Sequence, residues 1–366
     1  MSGNAFETRP FADLNGWEDD DHLAAFEAFL RSARHAEVKH YKDGGLGVSF
    51  SDLKPAFDAA LIAAVNNGMD AKHFFERCFI PALLKPERGK RGHVTGFYEP
   101  VVKASRSRTE DFPVPLYRRP DDLVEIGDST RPASMDPYFR FARKTASGHE
   151  EHPDRGEIER GCLAGRGLEF VWLTDSIESF FIHVQGAARL QFADGTETRV
   201  TYSGKSGHPF TGPGRVLIDK REIDPVTVSM QSIRAWLKAN PDRVDEILWH
   251  NRSFIFFEEG PIGDPGLGPV AAAKVQLTAG RSMAVDRLMH VFGSPFFIDA
   301  PKVDGGDGRP FRRLMIAQDT GSAITGAARG DLFTGSGFDA GQIAGRINAA
   351  ADFYLLVPQN PSGARS

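Results

Sequence analysis

Two aspartates frame the stretch of this chain that could do chemistry. Asp319 follows the apolar run Leu314-Met315-Ile316-Ala317 and Gln318, and Asp331 comes twelve residues later, just ahead of Leu332 and Phe333. The residues between them are mostly small: Thr320-Gly321-Ser322-Ala323, then Thr325-Gly326-Ala327-Ala328. The apolar run reads as a buried strand, and Gly321 and Gly326 permit tight bends. Small side chains between two carboxylates leave room for a bulky substrate to approach the main chain. Asp331, flanked by apolar side chains, is placed for partial desolvation, which favours the protonated form that a general acid needs. Spacing alone would equally fit two surface-turn aspartates, because Asp and Gly dominate turns.

The elements that must hold these acids come next. Apolar residues at 23, 26, 29 and 30 behind Asp19-Asp20-Asp21 fit an amphipathic helix from His22. Ser51 to Val65 repeats the pattern with Ser51 as N-cap, and Asp70 to Phe79 makes a third helix. From Gly92 the pattern changes to short runs broken by Pro and Gly: Pro113–Tyr117, Phe170–Leu173, Phe180–Val184, Ala188–Phe192 and Thr198–Tyr202. All five read as strands, with a hairpin turn at Asp194-Gly195. Arg106–Glu110, Ser147–Arg160 and the Gly-rich Asp304–Arg309 read as loops. Helical signals return at Ser229–Ala239, Pro241–His250 and Phe338–Ala350, with strands at Phe254–Phe257, Pro295–Ile298 and Phe353–Val357. A helix-rich start, a β-only middle and a mixed end suggest one body built from residues 1–103 and 221–366. The other body, 104–220, would be a β-barrel-like module inserted into it.

Composition narrows the function classes. The chain has 366 residues, 41% hydrophobic and 25% charged, with net charge -5, so no basic footprint argues for nucleic acid. Cys78 and Cys162 form no CxxC or His/Cys cluster, so no metal site is expected; nothing in their spacing forces or forbids a disulfide, and two buried thiols are the expectation. No run approaches the ~20 apolar residues of a membrane span. Met1–Gly16 has neither a basic nor an apolar leader region, so an export signal is not expected within this chain.

Five blocks in order carry a family resemblance: Thr95-Gly96-Phe97-Tyr98-Glu99-Pro100, Phe181-Ile182-His183-Val184-Gln185-Gly186, Tyr202-Ser203-Gly204-Lys205-Ser206-Gly207-His208, Ser229-Met230-Gln231-Ser232-Ile233-Arg234, and Asp319 to Gly345. Together they resemble the membrane-bound lytic murein transglycosylase A family with its C-terminal three-aspartate (3D) domain, here about 280–357. The resemblance implies a mainly β fold with helices: a double-psi β-barrel carrying the catalytic acid, a smaller inserted β-domain, and a groove between them. The three aspartates would be Asp286, Asp319 and Asp331, with Asp331 catalytic, Asp319 shaping the site and Asp286 structural. Two features depart from the pattern. His290-Val291-Phe292-Gly293 replaces an Ile-Pro-containing turn, and the lipoprotein cysteine expected near the start is absent.

The implied activity is that of a peptidoglycan lytic exotransglycosylase, a carbon–oxygen lyase. It cleaves the β-1,4 MurNAc–GlcNAc bond and leaves a 1,6-anhydroMurNAc end. Ordinary glycosidases need two carboxylates; here one suffices, because the sugar's own C6 hydroxyl attacks. Thr95, Gly96, Tyr98, Glu99, Gln185, Gly186, Ser203 and Lys205 would contact the glycan: Tyr by face and hydroxyl, Gln by its amide, Lys by charge. Gly186 and Gly204 would admit the glycan close to the backbone. His208 reads as a structural hydrogen-bonding residue. The expected partners are glycan strands and other cell-wall enzymes, with no cofactor, for a monomer in the periplasm or outer-membrane region of a Gram-negative envelope. Two rivals stand beside this. A peptidoglycan-binding scaffold would lack the acids. Asp319-Thr320-Gly321 also resembles an aspartic-peptidase loop, but that chemistry needs two such aspartates sharing a proton, and there is one triplet.

Overall fold

The computed structural model describes residues 6–86, 91–306 and 308–359. The first five residues of the start examined for a leader, and Asp307 of the Gly-rich loop, lie outside the described residues. The chain divides into two compact units, Met1–Tyr98 with Gly263–Ser366, and Glu99–Ile262.

The first unit opens with β1 (Phe6–Thr8) and three helices, α1 (His22–Val38), α2 (Phe50–Ile62) and α3 (Gly68–Cys78). Asp21 caps α1 by accepting from the Ala24 amide, and α1 buries Ala25, Phe26, Ala28, Phe29, Ala33 and Ala36 along one stripe. The cap of α2 is Ser49, not Ser51, because Ser49 and Asp52 satisfy each other's main-chain amides in a capping box. Phe29 stands at the centre of the helical layer, its ring 5.1 Å from Phe57 and 5.9 Å from Phe79. Strands β2 (Phe79–Leu84) and β3 (Gly92–Glu99) lead to the unit boundary.

The second unit runs through β4 (Val101–Lys103), β5 (Val114–Tyr117), β6 (Leu123–Glu125), β7 (Phe141–Thr145), β8 (Gly148–Glu150), α4 (Arg155–Glu159) and β9 (Glu169–Leu173). It continues with α5 (Ser176–Gln185), β10 (Ala187–Gln191), β11 (Glu197–Lys205), α6 (Pro213–Asp219), α7 (Met230–Ala239), α8 (Val244–Leu248) and β12 (Ile255–Gly260). Its largest sheet has the order β12-β11-β10-β4.

Four sequence readings are corrected here. The middle is not β-only. Phe180–Val184, expected as a strand, lies in α5, which Asp175 caps and Gly186 ends in the left-handed region. A short apolar run buried on most sides looks the same in either conformation. Ser147–Arg160, expected as loop, holds β8 and α4. The far boundary falls after Ile262 rather than near 220, because β12 pairs with β11 and keeps α6 to α8 inside this unit. Cys162 is exposed and Cys78 half-buried, both as free thiols.

Back in the first unit come β13 (Ser282–Val285), β14 (Pro295–Asp304), β15 (Pro310–Asp319), β16 (Arg329–Ser336), α9 (Gly337–Ala344) and β17 (Asn348–Pro358). The pairing order β17-β14-β15-β13-β16-β3 closes on itself, because β17 also pairs with β3. A closed ring has no open edge among its six strands. Phe296, Ile298, Met315, Leu332, Phe353 and Leu355 share its inner face by register, all 1% exposed or less. Helix α9 stops short of the expected Ala350, because Asn348 onwards is taken into the ring opposite Thr95.

Candidate active site

Strand β13 sits between β15 and β16, and Ala284 is the register partner of both Asp319 and Asp331. Residues directly opposite across a sheet share a face, so the two aspartates flank one methyl group. Their main chains lie two strand spacings apart, roughly 9–10 Å. A bulge makes this possible on the β15 side. The register steps from Met283↔Ala317 to Ala284↔Asp319 and skips Gln318. Gln318 is fully buried, its amide donating to Ala28 O (2.7 Å) and Ser32 Oγ (2.9 Å) of α1 while it accepts from Ser282 Oγ. Helix α1 thus pins the bulge that aims Asp319.

Asp319 accepts from the Ala272 amide at 3.2 Å. Burial pushes its carboxyl up to about 6, and the charge of Asp331 adds to that. Asp331 accepts from Thr95 Oγ1 at 2.6 Å. Burial raises it too, opposed by the Thr95 bond and by the charge of Arg329. Arg329 Nη2 donates to the same Thr95 oxygen at 2.8 Å, and its Nη1 donates to Gly330 O. Sequence reading passed over Arg329. Its signal was the i, i+2 spacing to Asp331, which in a strand puts both side chains on one face.

The loop between the acids is tied at its base. Asp286 accepts from the amides of Gly326 (2.8 Å) and Leu288 (3.0 Å), Thr320 Oγ1 donates to Val285 O (2.8 Å), and His290 Nε2 lies 2.8 Å from Ala327 O. His290 is buried, so the departure at His290–Gly293 supplies a loop anchor. Gly293 turns there at φ +87 against Phe57, where a side chain would collide. Gly321, Ser322 and Ala323 remain exposed at the loop tip.

The expected glycan contacts fall into three groups. Thr95 is half-buried and bonded to Asp331. Gly96, Tyr98, Glu99 and Gly204 have internal neighbours instead. A Cβ on Gly96 would lie 2.8 Å from Ala344 Cα, and one on Gly341 would lie 2.8 Å from the Tyr98 ring, which is 8% exposed. Glu99 is 1% exposed and bound by Arg199 (2.7 Å) and Arg189 (3.4 Å), so it is a buried ion-pair centre and not a sugar contact. Gly204 is buried against Leu123 and Arg119. Gln185 and Gly186 end α5, and Ser203 and Lys205 end β11, all partly exposed in the second unit. His208 is buried with Nε2 2.6 Å from His152 O, a structural bond.

The chain thus combines a closed ring of strands that carries two buried acids with a β-rich unit inserted into its sequence, a barrel-with-insert architecture. Two family models match: the MltA specific insert domain over residues 93–258 and the 3D domain over 281–357. The chain belongs to the membrane-bound lytic murein transglycosylase A family. It is 31% identical over 268 residues to the Escherichia coli K12 protein of that name, a match covering 72% of this chain and 64% of the relative. The match therefore spans less than two thirds of that relative's length. The Vibrio cholerae protein is 30% identical over 284 residues, covering 74% and 67%. The crystal structure of a membrane-bound lytic murein transglycosylase from Agrobacterium tumefaciens is 47% identical with TM-score 0.91, covering 97% of this chain and 98% of that one. MltA from Neisseria gonorrhoeae is 29% identical with TM-score 0.79, covering 98% and 94%.

Proposed function

We propose that this chain is a lytic transglycosylase that cleaves the β-1,4 MurNAc–GlcNAc bond of peptidoglycan, with Asp331 as acid and then base. The observation that carries it is a buried carboxyl, raised by that burial and oriented by the Thr95 hydroxyl at 2.6 Å. Asp331 protonates the glycosidic oxygen as the C1–O bond breaks, which leaves an oxocarbenium-like centre. The C6 hydroxyl of the same sugar then attacks C1 and returns its proton to the Asp331 carboxylate. Protons balance, no water is consumed, and a 1,6-anhydro end remains. One group serving both steps works best with a pKa drawn towards the working pH.

Asp319, tied to the Ala272 amide, shapes the site and adds its field. We assign Gln185, Gly186, Ser203 and Lys205 to glycan binding from the inserted unit, and read the six-strand ring as the family's double-psi barrel. The relatives are named membrane-bound, which supports work at the cell envelope. No helix among the described residues is long and apolar enough to cross a membrane. A shared-proton peptidase dyad needs carboxyls about 3 Å apart; here Ala284 lies between them.

The test is release of soluble muropeptides from purified sacculi. Wild type is expected to release them, and Asp331→Asn to bind sacculi without releasing any. A wild-type protein that binds and never cleaves would make the chain a scaffold.

A further inference from the structure

We infer that Arg329 is a positioning residue. By donating to Thr95 Oγ1 it fixes that hydroxyl as a donor to Asp331 Oδ1, so that the exchangeable proton of Asp331 rides on Oδ2. This rests on the acid role proposed for Asp331 and names how that acid is aimed.

A threonine hydroxyl has one hydrogen and two lone pairs, and a guanidinium only donates. With Arg329 Nη2 at 2.8 Å, the Thr95 oxygen must accept from it. Its single hydrogen is then free for Asp331 Oδ1 at 2.6 Å, a length typical of a bond to a carboxylate. Without Arg329 the hydroxyl could turn and accept a proton from a protonated Asp331, placing the acid proton on Oδ1 and facing Thr95. That proton would be unavailable to a leaving group.

The guanidinium is itself held in place. Its Nη1 donates to the main-chain oxygen of Gly330, the residue between Arg329 and Asp331 on β16. Thr95 is held from the other side, opposite Asn348 in the ring. Among the described residues Arg329 forms no ion pair, although Asp331 is two positions away. A direct arginine partner would lower the carboxyl by about 1–3 pKa units and leave it ionised. Interposing Thr95 transmits orientation with much less of the charge.

A double-mutant cycle tests this. Arg329→Gln, Thr95→Val and their combination are compared with wild type for kcat on sacculi, and the Asp331 carboxyl is titrated by carbon NMR in the free protein. Each single change is expected to lower kcat about tenfold, the size of one oriented hydrogen bond. The double change should be no worse than Thr95→Val, because Arg329 acts through Thr95. Thr95→Ser should restore most of the activity. With the charge-keeping Arg329→Lys the titration midpoint should rise in both single variants and no further in the double, whereas Arg329→Gln adds the rise from the lost charge. Independent, multiplying losses, or a midpoint that Thr95→Val leaves in place, would overturn the relay. If Arg329→Gln folds poorly, Arg329→Lys, which keeps charge but loses the fork, gives the same cycle. Should Asp331→Asn remain active, the acid role itself fails; the titration arm still decides the Arg329–Thr95 coupling, since it needs no turnover.

Discussion

Asp331 and Glu99 are both carboxyls withdrawn from water, one in each unit, and their surroundings differ. Glu99 takes Arg199 on Oε1 at 2.7 Å and on Oε2 at 3.3 Å, with Arg189 at 3.4 Å. Arg199 also donates to Ile262 O, so it joins the first and last residues of the inserted unit. Asp331 has one neutral donor, Thr95, with Arg329 behind it. A buried carboxylate with two guanidinium partners is a fixed negative strut. One with a single hydroxyl partner is pushed up by burial with less to oppose it, which favours proton donation.

Exchanging the two kinds of loss gives the largest contrast. Asp331→Asn should lower turnover by ~10²–10⁴-fold or more, since no second carboxylate takes over, while its melting temperature at neutral pH stays level or rises. Glu99→Ala should do the reverse. Leaving two arginines facing an emptied site costs about 3–5 kcal/mol, read by denaturant unfolding, with activity per folded molecule largely kept. Both variants losing activity without losing stability would erase the distinction.

Asp319 sharpens the comparison through pH. Its folded pKa of about 6 exceeds the ordinary 3.8. The folded state therefore holds this proton more tightly, and the stability it contributes is present below 3.8 and lost as pH rises through 6. Asp319→Asn removes the loss and should stabilise the protein by at most about 3 kcal/mol at pH 7 and little at pH 4. Melting curves at the two pH values check this; an equal shift at both would mean that Asp319 is not destabilised by ionisation. The smallest effect is expected for His290→Ala. Losing one loop anchor costs about 1 kcal/mol, with more turnover lost than for an exposed change such as Ser322→Ala.

Local pattern reached some of this and not the rest. The apolar spacing of α1, the Asp194-Gly195 turn and the small residues between Asp319 and Asp331 are local signals, and each is legible along the chain. Thr95 and Asp331 are 236 positions apart, and their bond depends on β3 closing the ring. Glu99 read as a glycan contact, because its partners Arg189 and Arg199 come from strands 90 and 100 residues on. The end of the inserted unit was misplaced for the same reason: β12 completes a sheet begun far earlier in the chain. Phe180–Val184 failed differently, since a run of five residues whose first four are buried is too short to tell a helix from a strand.

The central claim is that one carboxyl, Asp331, suffices because the sugar's own hydroxyl replaces water. Digesting sacculi in oxygen-18 water and weighing the new glycan ends tests it most directly. The expected ends are anhydro, lighter than a reducing end by one water, free of the heavy isotope, and missing with Asp331→Asn. Reducing ends carrying oxygen-18 as the main product, or anhydro ends at the wild-type rate from Asp331→Asn, would contradict it.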